Sequence, residues 1–340
     1  MRTALLAAII VVLTLDPATT QVTRPPVIDM HLHAMRADEQ GPPPLGMCTP
    51  IPEFPAWDPK QQYAEVFMAI FKKPACPDPV WSPSTDNELR DATIAAARRW
   101  HITGVLSGPP DRVDAWTQAA PGTFLPGYAL DIGERGGPSL TELRTRHADG
   151  RLRVLAEVGT QYTGIAPDDA KLEPYWSLAE ELDIPVGIHI GPGPPGVIYL
   201  GAKGYRAALH SPLTLEPVLV RHPKLRVWVM HAGFPMLDDM LAVLYAHPQV
   251  YVDTGVIVFT QPRAAFYRYL QGLVDAGFAK RVMFGSDQMV WPGVIERSIA
   301  VINEAPFLTA AQKRDILYDN AARFLRLGSD ETARHRAVGK

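Results

Sequence analysis

Eight short apolar runs, each followed by an amphipathic stretch, limit this chain's fold more than any other feature. The runs are PVIDMHLH (26–33), ITGVLSG (102–108), FLPGYAL (124–130), RVLAEVG (153–159), IPVGIHIG (184–191), LRVWVMHAG (225–233), VYVDTGV (250–256) and RVMFGSD (281–287). Continuous apolar runs of this length, bounded by turn residues and mostly rich in Val and Ile, are the signature of strands buried on both faces of a parallel sheet. Between them, stretches such as DNELRDATIAAARRW and AAFYRYLQGLVDAG carry apolar residues at helical spacing. Eight strand–helix pairs predict a (β/α)8 TIM barrel, a single α/β domain over residues 25–328. An open doubly wound sheet is the rival arrangement. It is disfavoured by the count of eight and by the lack of a Gly-rich phosphate loop after the first run.

The segment 34–83 is long for a connection inside such a domain and rich in proline. Long connections of this kind are commonly functional, and this one is read as a lid on the β1–α1 loop. Residues 329–340 form a C-terminal tail. At the other end, MRTALLAAIIVVLTLDPATTQ has one early positive charge, an apolar stretch too short to span a bilayer, and small or turn-forming residues after it. This is the form of a signal peptide over residues 1–21. It predicts a secreted or periplasmic protein without stable membrane insertion. The two cysteines, Cys48 and Cys76, lie in the proline-rich segment. In an oxidising compartment they can close one disulfide, worth about 3 kcal/mol in the chain-entropy model. Sequence alone leaves two free thiols as the alternative.

Net charge is −3, with no basic block. Composition thus argues for no nucleic-acid partner and leaves a small-molecule substrate. Homo-oligomerisation is left open.

In a barrel of this kind chemistry sits at the C-terminal strand ends. His31 and His33 end the first run, Glu157 the fourth, His189 the fifth, His231 the sixth and Asp287 the eighth. His31 and His33 stand two apart, so on a regular strand they share a face. By the same parity Asp29 shares it too, as a deeper supporting partner, while Asp253 has no assigned role. His101, His222 and His247 fall near strand starts and read as structural. Ionisable groups converging on one mouth are costly unless paired or metal-bound, so the set predicts a metal site. Their nitrogen and carboxylate oxygen donors suit Zn²⁺, with Mn²⁺ or Fe²⁺ as alternatives, as one ion or two.

DMHLH, GIHIG, VMHAG, FGSD and the late YDNAARFL together resemble the amidohydrolase superfamily, in its amidohydrolase-related (family 2) branch. The resemblance implies His31, His33, His189 and Asp287 as metal ligands. It implies His231 as a second-metal ligand, or as a free acid/base in a mononuclear site. AEVGTQY resembles the strand-four segment of TatD-like and phosphotriesterase-like hydrolases, where a glutamate bridges two metals; this implies that role for Glu157. The expected activity is hydrolysis, with Asp287 taking a proton from a metal-activated hydroxide source that attacks a carbonyl or phosphoryl centre. The rival is a mononuclear non-oxidative decarboxylase or hydratase resembling aminocarboxymuconate-semialdehyde decarboxylase, with His231 unligated. A binding protein without turnover is the third reading, disfavoured by Asp287. Arg206, Tyr199, Tyr205 and Gln161 are the expected substrate contacts, Arg206 gripping an anionic group. Tyr162, Trp291 and His210 are further candidates for the pocket wall.

Overall fold

A computed structural model describes residues 24–132 and 136–337. The expected signal peptide lies outside the described residues. Eight parallel strands run in chain order: β1 Val27–His33, β2 Ile102–Ser107, β3 Phe124–Leu130, β4 Val154–Val158, β5 Val186–His189, β6 Val227–Met230, β7 Tyr251–Asp253 and β8 Val282–Met283. The Met30 amide closes the ring by donating to the Phe284 carbonyl (2.9 Å), and the Asp287 amide donates to the His31 carbonyl (2.8 Å). The barrel is therefore the predicted one. Its helices start where the sequence says they should. At Thr85, for example, the hydroxyl accepts from the Glu88 amide and the Glu88 carboxylate accepts from the Thr85 amide, a reciprocal cap on helix Asp86–Arg99.

Two apolar layers hold the barrel. Ile28, Met30, Val105, Val154, Ala156, Trp228, Met230 and Met283 fill its interior, joined from below by Tyr318 and Phe324. Val27, Leu32, Leu106, Leu155 and Val229 face the outer helices. Strict alternation from Ile28 and Met30 would send His31 outward. The β1–β2 register shifts between Asp29 and Leu32, and the β4 register shifts between Leu155 and Val158. Such irregularities re-aim side chains. They put His31 and Glu157 inside, directly after the interior residues Met30 and Ala156. Asp29 lies on the other side of the first shift, so the expectation that it shares the His31 face is wrong.

β8 is also shorter than the expected run. β7 pairs with it only through Val252 and Asp253, so the chain leaves the sheet after Met283. Asp287 follows four residues later, with φ 55°.

The 34–83 segment is structured. It carries helix Tyr63–Lys72 and a two-residue antiparallel ladder, Gly46–Met47 against Val80–Trp81. A disulfide joins Cys48 to Cys76, and the Trp291 indole donates to the Leu45 carbonyl (2.9 Å). The expected tail contains helix Ser329–Ala337, whose His335 lies 3.1 Å from both the Thr103 and the Tyr318 hydroxyls. Among the described residues no helix is long and apolar enough to cross a membrane.

Candidate metal centre

His31, His33, Glu157, His189, His231 and Asp287 all converge at the barrel mouth. The Nε2 atoms of His31 and His33 lie 3.2 Å apart. Glu157 stands between two histidine pairs. Its Oε2 is 3.7 Å from His31 Nε2 and 3.4 Å from His33 Nε2. Its Oε1 is 3.8 Å from His189 Nε2 and 3.9 Å from His231 Nε2. Asp287 Oδ1 lies 3.1 Å from His33 Nε2 and 3.8 Å from His31 Nε2, while Oδ2 is 3.9 Å from His231 Nδ1.

Surrounding groups decide which nitrogen of each ring faces inward. His31 Nδ1 donates to Asp253 Oδ2 (3.2 Å), leaving the Nε2 lone pair toward Glu157. Asp253, the residue left unassigned from sequence, is thus part of the site. It is fully buried and also accepts from Trp228 Nε1 (3.1 Å) and the amides of His231 (3.0 Å) and Gly255 (2.8 Å). A Cβ at position 255 would collide with His31 Nδ1, so glycine there keeps the His31–Asp253 contact open. His231 Nδ1 donates to the Gly255 carbonyl (2.9 Å). His189 Nδ1 pairs with Gln161 Oε1 (2.5 Å), and the Tyr162 hydroxyl sits 3.0 Å from His189 Nε2. His231 and Asp287 both adopt left-handed backbone, φ 62° and 55°. Non-glycine residues held this way cluster at functional sites.

A metal fits this donor set. His231 Nε2 and Asp287 Oδ1 are buried without a hydrogen-bond partner, an expensive arrangement unless a cation takes their lone pairs. Two donors on one tetrahedral ion stand ~3.4 Å apart, given donor–ion distances near 2.1 Å, which matches the spacings above. Three donor groups meet the spacing needed for an ion: His31/His231/Asp287, His31/His33/Glu157 and Glu157/His189/His231. Burial opposes ionisation of Glu157 and Asp287, yet the facing histidines hold both carboxyls below the usual carboxylate range. Burial, with the charge of His231, lowers His189 to about 3, so its ring is neutral, the ligating form. Asp29 is raised to about 7 by burial; it accepts from the His31 (3.0 Å) and Ser286 (2.9 Å) amides and so braces β1 against the β8 loop.

The substrate expectations fare unevenly. Tyr205, Tyr162, His210 and Trp291 line a cavity of about 690 Å³ above the cluster. Gln161 does not line it, because its side chain is spent on His189. Arg206 is exposed and turns away, its guanidinium donating to the Lys203 (2.8 Å) and Tyr205 (2.7 Å) carbonyls. Tyr199 lies outside as well, 59% exposed and packed on Trp57. His222, by contrast, is structural as expected, held by Glu173 (2.8 Å) and Glu180 (3.1 Å).

The amidohydrolase (family 2) model matches residues 28–327. This chain belongs to the amidohydrolase family. A search of curated proteins finds no match. Among solved structures, this amidohydrolase resembles a protein described as a probable 2-pyrone-4,6-dicarboxylic acid hydrolase from Acinetobacter baumannii, at 15% identity and a TM-score of 0.55 over 88% of this chain and 99% of that one. It also resembles a 2,6-dihydroxybenzoate decarboxylase, at 16% identity and 0.55 over 89% and 100%. An amidohydrolase from Burkholderia multivorans with bound zinc gives 16% and 0.54 over 89% and 100%. Likeness at this level establishes the shared barrel fold.

The Asp253–His31 contact makes a direct prediction. In Asp253→Asn an amide N–H₂ can face His31 Nδ1–H, which favours the other tautomer and removes the inward lone pair. Metal affinity should fall roughly 10–100-fold, the usual penalty for losing the partner behind a ligating histidine. Competition with a chromophoric chelator measures this, and an unchanged affinity would show that Asp253 does not set the His31 tautomer.

Proposed function

We propose that this amidohydrolase is a metal-dependent hydrolase of small molecules, whose donor set would hold two divalent cations with Glu157 shared between them. The observation that carries the reading is the placement of Glu157, one oxygen toward His31/His33 and the other toward His189/His231. A single carboxylate shared this way suits a pair of cations. The ions, when bound, supply Lewis acidity and a nucleophile at neutral pH. His31, His33 and Asp287 would hold one, His189 and His231 the other. Zinc suits the donors, as would manganese or iron. Asp287 would hold the ion through Oδ1, the buried oxygen without a hydrogen-bond partner, and with its other oxygen take the proton from attacking water and pass it to the leaving group. Tyr162 and Tyr205 border the space where the substrate would sit, and Met35, Phe67 and Phe71 of the 34–83 segment line it as well.

The test is a panel of esters, lactones, amides and phosphoesters with protein loaded with zinc or manganese, run beside hydroxybenzoates assayed for CO₂ release. Turnover in the first set and none in the second is expected. CO₂ release without hydrolysis would overturn the reading in favour of the mononuclear decarboxylase.

We also infer export. The N-terminal pattern motivates it, and the Cys48–Cys76 disulfide supports an oxidising destination. Protein recovered after expression with its native N-terminus should begin near residues 18–21 by mass spectrometry and show no titratable thiol before reduction. An intact Met1 with two free thiols would sink this inference.

A further inference from the structure

The cavity above the metal cluster bears on the substrate, and the argument rests on the cluster being the reaction centre. Met35, Phe67, Phe71, Val197, Met289 and Trp291 form much of its wall. Among the described residues, no lysine or arginine lines it. Basic groups on the surrounding segments are committed elsewhere: Arg206 to the carbonyls of its own loop, Arg112 to Glu39 (2.9 Å) and the Ala34 carbonyl (3.2 Å), and Lys72 to the Pro42 and Pro44 carbonyls. His210 is half-buried, pairs with the Tyr205 hydroxyl, and is lowered to about 4 by burial, so it adds no positive charge at neutral pH. The charged side chains on the wall belong to the cluster itself.

An anionic group on the substrate away from the reacting centre would therefore be desolvated with no countercharge, which is costly. An uncharged hydrocarbon or aromatic portion would bury apolar surface against the wall instead. The size is that of a pocket for a drug-sized molecule. The geometry points to neutral, apolar acyl compounds as the substrate class: esters, lactones or amides whose reactive group meets the cluster while an uncharged tail fills the lid cavity. Dicarboxylates are excluded as good substrates, whatever the fold has in common with proteins that take them.

Two hydroxamates of matched length test this on zinc-loaded protein by titration calorimetry. Octanohydroxamic acid and suberic acid monohydroxamate share a metal-binding head, so its contribution cancels; they differ in a terminal methyl or carboxylate. The neutral ligand should bind at least ~10-fold tighter, since only its partner desolvates an unpaired charge. Ile198 lies at the cavity wall, 38% exposed, and Ile198→Arg should shrink or invert the ratio by supplying a cation. Phe54→Arg, at a wall position 37% exposed, serves if the first variant does not fold. Equal or tighter binding of the carboxylate by wild type would overturn the proposal, as would failure of both ligands to bind. A ratio unchanged in the folded arginine variant would also overturn it. A protein inert toward every ester yet showing the expected ratio would fail the hydrolase reading alone.

Discussion

Replacing His31 and His33 together by alanine should leave a folded barrel that loses the ion held by His31, His33 and Asp287 and has only background activity. Both rings donate from one short strand into the same group of oxygens, 3.4 Å and 3.7 Å from Glu157 Oε2. Without them the ion on that side keeps only carboxylate donors. Carboxylates alone suit harder cations better than Zn²⁺. The fold should survive for two reasons. The remaining β1 residues stay buried on both faces, Ile28 and Met30 inside and Val27 and Leu32 outside. Asp253 also retains its Trp228, His231 and Gly255 donors after losing His31. Elemental analysis of the purified variant, with circular dichroism to confirm the fold, is the measurement. A folded double variant with full metal content would end the metal-site assignment.

Glu157→Gln should retain about one ion per chain where wild type holds two, and lose most of its hydrolytic rate. The amide keeps the size of the side chain but removes the charge that offsets repulsion between two close cations. An amide nitrogen is also no ligand, so one of the two histidine pairs loses its shared oxygen. Removing one ion forfeits a Lewis-acid contribution of several kcal/mol. At ~1.4 kcal/mol per decade, that is a loss of roughly 10²-fold or more in kcat. Metal per chain and kcat, measured on both proteins after saturation with zinc or manganese, decide the matter. If saturated wild type holds a single ion, the two-cation arrangement is wrong, and a mononuclear centre with His231 as acid/base takes its place.

The barrel was legible in the sequence because strand and helix periodicities are local properties. Eight apolar runs with helical stretches between them leave little choice of architecture. The six cluster residues were also legible, since each follows an apolar run closely enough to fall at the mouth whatever the fine register. Residue types and order along the chain sufficed for that.

Position within the mouth was another matter. Parity along β1 wrongly grouped Asp29 with His31, because the register shift between Asp29 and Leu32 is set by pairing with β2, over 70 residues away in sequence. Asp253 looked like a mid-strand acid; only the packing of β1, β6 and β7 brings His31, Trp228, the His231 amide and Gly255 onto its two oxygens. Arg206 looked like an anion grip because it lies on the loop after the fifth run and a guanidinium matches carboxylate or phosphate geometry. Its own loop curls so that two carbonyls capture the guanidinium, and among the described residues no lysine or arginine lines the cavity. Chemistry-bearing residue types and the fold that gathers them are written in local pattern. Which lone pair faces inward, and whether a charge reaches the cavity, depend on contacts between segments far apart in the chain, and only the tertiary structure decides them.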